Sequence, residues 1–181
     1  MRRYADARGP ATADELWVLE HPPVYTVGLA GRAEHLPRGS AIPLQRVDRG
    51  GQITYHGPGQ AIVYTLVDLG RRGLTVRSLV RLIEQAVIDL LEEHGVSAAR
   101  RSGAPGIYVD GAKIAALGLR VRRGCSYHGV ALNVDMDLTP FDAIDPCGYP
   151  GLAVTQTTAL GVRAGVAELG DALARRIAGL L

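Results

Sequence analysis

Of the 20 lysine and arginine residues in the chain, one alone is lysine, Lys113. A coding bias that supplies arginine wherever a generic positive charge suffices makes the surviving ammonium group informative. Arginine stays protonated under all usable conditions, whereas an amine can release its proton and presents a compact head. Read as a strand, the stretch around Lys113 alternates Lys113, Ala115, Leu117, Leu119 and Val121 on one face. The opposite face carries Ile114, Ala116, Gly118, Arg120 and Arg122. A lysine on an apolar face is costly as a cation, and burial there lowers its pKa. The other reading has Lys113 reach around the strand end into water.

Cys147 lies in Asp145-Pro146-Cys147-Gly148-Tyr149-Pro150, a turn framed by proline and glycine that sets it apart from a packed core thiol. As a thiolate beside a cation it would be a nucleophile; otherwise it is an inert loop cysteine. Cys125, in Arg123-Gly124-Cys125-Ser126, is its rival. A third feature is Arg49-Gly50-Gly51-Gln52-Ile53-Thr54-Tyr55-His56-Gly57-Pro58-Gly59-Gln60. Its glycines let backbone N–H groups approach a ligand, with Arg49, His56 and Gln60 to orient it. The same pattern also describes an ordinary glycine-rich hairpin.

Other chemistries fail on inspection. The chain has no phosphate-binding G-x-x-x-x-G-K-[ST], no G-x-S-x-G and no H-E-x-x-H. The run Gly57-Pro58-Gly59-Gln60-Ala61-Ile62 lacks the last glycine of a dinucleotide fingerprint. Cys125 and His128 find no second ligand pair at a zinc spacing, so no metal is expected. His21, His35 and His94 read as structural or solvent-facing, His94 suiting a helix C-terminus.

The elements that must position these residues are short. Strands are predicted at 16–19, 24–27, 53–56, 60–69, 106–109, 112–122 and 126–134, with a two-residue turn at Asp110-Gly111. A helix starts with Thr75 as N-cap and ends before Gly95; Val76, Leu79, Val80, Ile83, Val87, Leu90 and Leu91 share its apolar face. A helical turn starts at Thr139-Pro140, and Val166, Leu169, Leu173, Ile177 and Leu180 mark a terminal helix. Helices this sparse among meandering strands predict an α+β fold with a mixed, mainly antiparallel sheet flanked by helices. The 181 residues suit a single domain. A net charge of +2 gives no pull toward nucleic acid or acidic membranes, and two cysteines exclude a disulfide framework. With no secretory core and no apolar run of membrane-spanning length, a soluble cytoplasmic protein is expected.

Taken together, the motifs resemble the lipoate-biosynthesis octanoyltransferases, the LipB family. The resemblance rests on Arg49-Gly50-Gly51-x-x-Thr54-Tyr55-His56-Gly57-Pro58-Gly59-Gln60, on Glu20-His21-Pro22-Pro23-Val24-Tyr25-Thr26 and on Gly111-Ala112-Lys113-Ile114-Ala115-Ala116-Leu117-Gly118. It extends to His128-Gly129-x-Ala131-Leu132-Asn133 and Pro146-Cys147-Gly148, and weakens over the terminal helix. It implies the fold of biotin and lipoate protein ligases. It also implies transfer of an octanoyl group from octanoyl-acyl carrier protein to a lysine on lipoyl domains, those of 2-oxoacid dehydrogenase E2 subunits and the glycine-cleavage H protein. In the family the acyl group rests on a cysteine, matched by Cys147, and a lysine matched by Lys113 lowers its pKa. Substrate contacts map to Arg49, Gly50, Gly51, Gln52, Ile53, Thr54, Tyr55 and His56, to Ala116, Leu117 and Gly118, and to Gly129, Val130 and Ala131. Exchange between thioesters is nearly isoenergetic, so no ATP or other cofactor is implied. An ATP-dependent lipoate or biotin ligase and a non-catalytic docking relative are the competing readings. Family members usually open with a strand and most of a helix ahead of the segment matching Tyr4. This sequence starts inside that region, as a late start or a shortened chain would.

Overall fold

Two tight turns organise the middle of the chain. Asp110-Gly111 and Arg123-Gly124 each place both central residues at positive φ (48° and 83°, 51° and 77°). Such primed turns match the twist of the strands they join. In the computed structural model of the protein, which describes residues 1–37 and 39–181 except the side chain of Cys147, these turns connect three successive antiparallel strands. In chain order the elements are α1 (Arg2–Ala7), β1 (Glu15–Leu19), β2 (Val24–Val27), β3 (Leu44–Arg46), β4 (Ile53–His56), β5 (Gln60–Leu66), α2 (Val76–Glu93), β6 (Ala99–Arg101), β7 (Ala104–Val109), β8 (Ala112–Arg122), β9 (Cys125–Asn133) and α3 (Val166–Leu180). Short 3₁₀ turns cover Ala33–His35, Thr139–Ala143, Pro146–Gly148 and Thr158–Leu160.

Six strands form one antiparallel sheet in the order β1-β5-β9-β8-β7-β6, and β3-β2-β4 form a smaller mixed one. The α+β architecture inferred from the sequence is the observed one. Helices α2 and α3 pack side by side on one face of the large sheet. There Leu79, Ile83, Leu90 and Leu91 of α2 and Leu169, Leu173 and Ile177 of α3 are buried against Val63, Ile107, Ile114 and Leu132. Each such side chain contributes roughly 1.5–3 kcal/mol on burial. Thr75 caps α2 as expected, its hydroxyl accepting from the Ser78 N–H at 3.1 Å while the Ser78 hydroxyl accepts from the Thr75 N–H at 2.8 Å. The buried stripe begins one turn later than the periodicity predicts, since Val76 is 46% exposed. The small sheet has its own apolar cluster, in which Tyr25, Ile53, Tyr55 and Phe141 meet. No helix among the described residues is long and apolar enough to cross a membrane.

Candidate active site

On the face of the large sheet away from the helices, a cavity of about 300 Å³ opens between β2 and β4 of the small sheet and β5, β9 and β8 of the large one. The gap is made by two glycines. Gly118 and Gly129 face each other across β8 and β9, and Gly129 pairs with Tyr64 on β5. A Cβ on Gly129 would stand 1.9 Å from the Val63 carbonyl oxygen, and one on Gly118 would stand 2.9 Å from Cδ of Arg49. Only glycine leaves this strip open. Val24, Val47, Ile62 and Ala131 give the cavity apolar walls, and His21, His56, Tyr64 and His128 add polar groups.

Lys113 stands at a neighbouring, smaller recess, which adjoins the cavity through the shared lining residues Thr54 and Ala116. It is 3% exposed. Its Nζ donates to the Pro105 carbonyl at 3.2 Å and lies 5.2 Å from the Tyr108 ring centre. Simple alternation is broken here. Tyr108 pairs with Lys113 but Ile107 pairs with Ala115, so Ile114 is an extra residue on β8. The bulge leaves both Ile114 and Ala115 in the helix-side core and turns Lys113 to the side of Ala116. Past Ala115, β8 also leaves β9, and chain 153–155 takes its place. The Lys113 N–H donates to the Ala153 carbonyl at 2.8 Å, and its carbonyl accepts from the Thr155 N–H at 3.0 Å.

The backbone of Cys147 lies in the 3₁₀ turn Pro146–Gly148, and its side chain falls outside the described residues. Pro146 lines the recess that holds Lys113. On the other side, Gly148 (φ 76°) sits so close to the Gln52 amide that a Cβ would overlap it. The turn is anchored by His35, whose Nδ1–H donates to the Asp145 carboxylate at 2.8 Å. Cys125 is elsewhere. It pairs with Arg122 at the opposite end of β8, roughly 30 Å along the strand from Lys113.

A buried polar chain crosses the site. His56 Nδ1 meets Gln60 Oε1 at 2.7 Å, Gln60 Nε2 donates to Asn133 Oδ1 at 2.9 Å, and Asn133 Nδ2 donates to the Thr155 carbonyl at 2.9 Å. Burial lowers the His56 pKa to about 4, against an opposing hydrogen bond from Gln60, so the ring is neutral near pH 7. Burial lowers His21 as well, and its Nε2 shares a hydrogen bond with the Tyr64 hydroxyl at 2.5 Å. His128 is depressed by burial, with Asp48 opposing; its Nε2–H donates to Asp48 Oδ1 at 3.0 Å. Burial pushes the Asp48 carboxyl up, but hydrogen bonds from Tyr127 and His128 outweigh it and hold it below the usual range. His128 carries this load with φ at 64°, rare for a non-glycine residue in a strand. Among the described residues, no group of three or more His, Cys, Asp or Glu is placed to hold a metal ion.

The chain matches the family model described as the lipoyl protein ligase A/B catalytic domain over residues 2–178. It belongs to that family. An octanoyltransferase of Thiobacillus denitrificans is 63% identical over 98% of this chain and 83% of its own length. One of Azoarcus sp. is 62% identical over 100% and 80%. The fold is also that of a lipoate-protein ligase A bound with ATP, at a TM-score of 0.81 and 19% identity over 99% of this chain and 77% of that one. The biotin protein ligase of Aquifex aeolicus is a more distant match, with a TM-score of 0.61 and 14% identity over 86% of this chain and 69% of the other.

Within this lipoyl protein ligase A/B scaffold, most of the sequence-predicted site residues come together. Arg49, Gly51, Gln52, Thr54, His56, Ala116, Leu117, Gly118, Gly129, Val130 and Ala131 all line the cavity. Ile53 and Tyr55 do not; they point the other way, into the small sheet's apolar cluster. Gly50 ties the sheets together instead, its N–H donating to the Leu119 carbonyl at 2.9 Å. Arg49 also acts as a bolt, with guanidinium bonds to the Thr26 carbonyl at 2.7 Å and the Gly50 carbonyl at 2.9 Å. Sequence reasoning missed His21, Tyr64, Asp48 and His128 as parts of the site. His21 opens a Pro-Pro break and His128 precedes Gly129, yet nothing in either pattern marks the side chain as facing the cavity.

Proposed function

We propose that this chain moves an octanoyl group from octanoyl-acyl carrier protein to the ε-amine of a lysine on lipoyl domains, those of 2-oxoacid dehydrogenase E2 subunits and the glycine-cleavage H protein, through a thioester on Cys147. The observation that carries the reading is the chain's one lysine, buried at a recess lined by Pro146, the neighbour of Cys147, and adjoining an apolar slot. The octanoyltransferase relatives supply the acyl class.

In the first half-reaction Lys113 takes the thiol proton, and the Cys147 thiolate attacks the carrier thioester. The carrier thiolate leaves and receives the proton back. In the second, the acceptor amine attacks the Cys147 thioester and the C–S bond breaks. The proton released from nitrogen passes through Lys113 to the departing Cys147 sulfur. Arginine could lend charge to this site but could not relay a proton. Backbone N–H groups around the turn steady the oxyanion, each such donor being worth about 3 kcal/mol. Gln52 Oε1, shielded and without a hydrogen-bond partner among the described residues, offers an acceptor to an incoming N–H. At ~0.8 kcal/mol per buried CH₂, the slot discriminates chain lengths by about tenfold for each two-carbon step.

Intact mass spectrometry after incubation with octanoyl-acyl carrier protein tests this. An octanoyl adduct should form on the enzyme and disappear when a lipoyl domain is added. An adduct that persists on Cys147→Ser overturns the assignment.

A further inference from the structure

The direction of the buried polar chain can be worked out from its end. The Thr155 carbonyl can only accept, so Asn133 must offer it Nδ2–H and turn Oδ1 toward Gln60. Gln60 must then donate through Nε2, which leaves its Oε1 facing His56. An acceptor at that position requires a proton on Nδ1. Flipping both amides would set two carbonyl oxygens against each other at Thr155, inside a site where Gln60 and Asn133 are only 2% and 5% exposed. The ring is therefore held as the Nδ1–H tautomer, and Nε2 is the nitrogen left to the cavity that His56 lines. The same Thr155 donates its N–H to the Lys113 carbonyl, so the histidine and the lysine are set by one framework.

We propose that Gln60 and Asn133 are positioning residues that lock His56 with its Nε2 lone pair in the cavity, where it accepts a hydrogen bond from the acceptor lysine's amine and aims the nitrogen lone pair at the Cys147 thioester. The inference rests on the acyl-transfer reading given above. His56 does not have to take the proton outright; that passes to Lys113. Its task is to orient an N–H during attack, and a neutral imidazole does this where an imidazolium would have no lone pair to accept that N–H and would instead engage the amine's own lone pair. The charged and titratable groups around it are His21 between β1 and β2, Arg49 ahead of β4 and His128 on β9, and all three disfavour the imidazolium.

Two measurements test the proposal. Long-range proton–nitrogen correlation NMR of histidine-labelled enzyme at pH 7 should show His56 protonated at Nδ1, and Gln60→Leu should shift it toward the Nε2–H form. Wild-type enzyme with Nε2 protonated overturns the lock. In single-turnover kinetics, preloaded octanoyl-enzyme mixed with a lipoyl domain should react about tenfold more slowly in Gln60→Leu, a clearly larger loss than that in the acylation rate. Equal slowing of both half-reactions overturns the orienting role. Gln60→Glu, whose carboxylate favours the imidazolium, should move the acidic limb of the aminolysis profile to higher pH; an unmoved limb also counts against it, even where Gln60→Leu fails to fold. Failure of wild-type enzyme to form any acyl adduct would sink the acyl-transfer reading instead, and the NMR result would stand apart from it.

Discussion

The two faces of the large sheet are built on opposite rules. The face under α2 and α3 is closed by interlocking leucine, isoleucine and valine side chains. The other face collects buried groups that water would otherwise solvate: Lys113, Arg49, Gln60, Asn133 and His128, all at most 9% exposed. Buried polar groups stabilise only when every one is partnered, and a half-satisfied set is worse than an apolar filling. The helix face therefore holds the molecule together, while the cavity face holds a few atoms in place at some expense of stability. Substitutions on the two faces should separate cleanly.

The sharpest contrast is Lys113→Met against Leu90→Ala. The first should lower turnover by about 10²–10⁴-fold with the melting temperature held or raised, because a buried amine is replaced by an apolar chain of similar length. The second should cost about 2–5 kcal/mol in denaturant unfolding with turnover per folded molecule unchanged. A Lys113→Met enzyme with near-normal turnover would erase the distinction. The glycine strip offers a finer test. Gly129→Ala meets a backbone carbonyl and should unfold the protein at lower temperature. Gly118→Ala meets Arg49 Cδ at 2.9 Å and the Gly50 carbonyl oxygen at 3.2 Å, a shallower overlap, and should raise KM about tenfold at a smaller cost in stability. Comparable loss of stability in both would mean that the slot is not the reason for Gly118.

A last comparison is on pH. His56 titrates near 4 in the folded chain and near 6.5 when unfolded. Between these values the unfolded state binds the extra proton, so stability from this group is complete above pH 6.5 and falls as pH drops toward 4. His56→Gln should flatten the wild-type slope of unfolding free energy in that window. Identical slopes would show that the ring is not buried neutral.

The helix face was readable because 3.6-residue periodicity reports burial directly: Leu79, Ile83, Val87, Leu90 and Leu91 all lie where the pattern put them. The family resemblance of the glycine motifs also holds, and with it the fold. The orientation of Lys113 was not readable. Strict alternation groups it with Ala115 and Leu117, and one inserted residue, Ile114, reverses the grouping. A bulge leaves no mark in composition. Strands β3 and β6 escaped notice because all their residues are exposed and carry no alternation. His21, whose sequence reads as structural or solvent-facing, lines the cavity because its burial comes from β4 and β5, which are distant in sequence.

The chain that lies beside Lys113 in place of β9 is the direct continuation of the turn containing Cys147. Residues 148–153 thus form a short leash between Cys147 and Lys113, with Asp145 held by His35 ahead of Cys147 and the far end held by the Lys113 backbone. Inserting or deleting a residue in that leash would change the spacing of the pair proposed to react while both sheets stayed whole, which would make its length as much a part of the proposed chemistry as the side chains it joins.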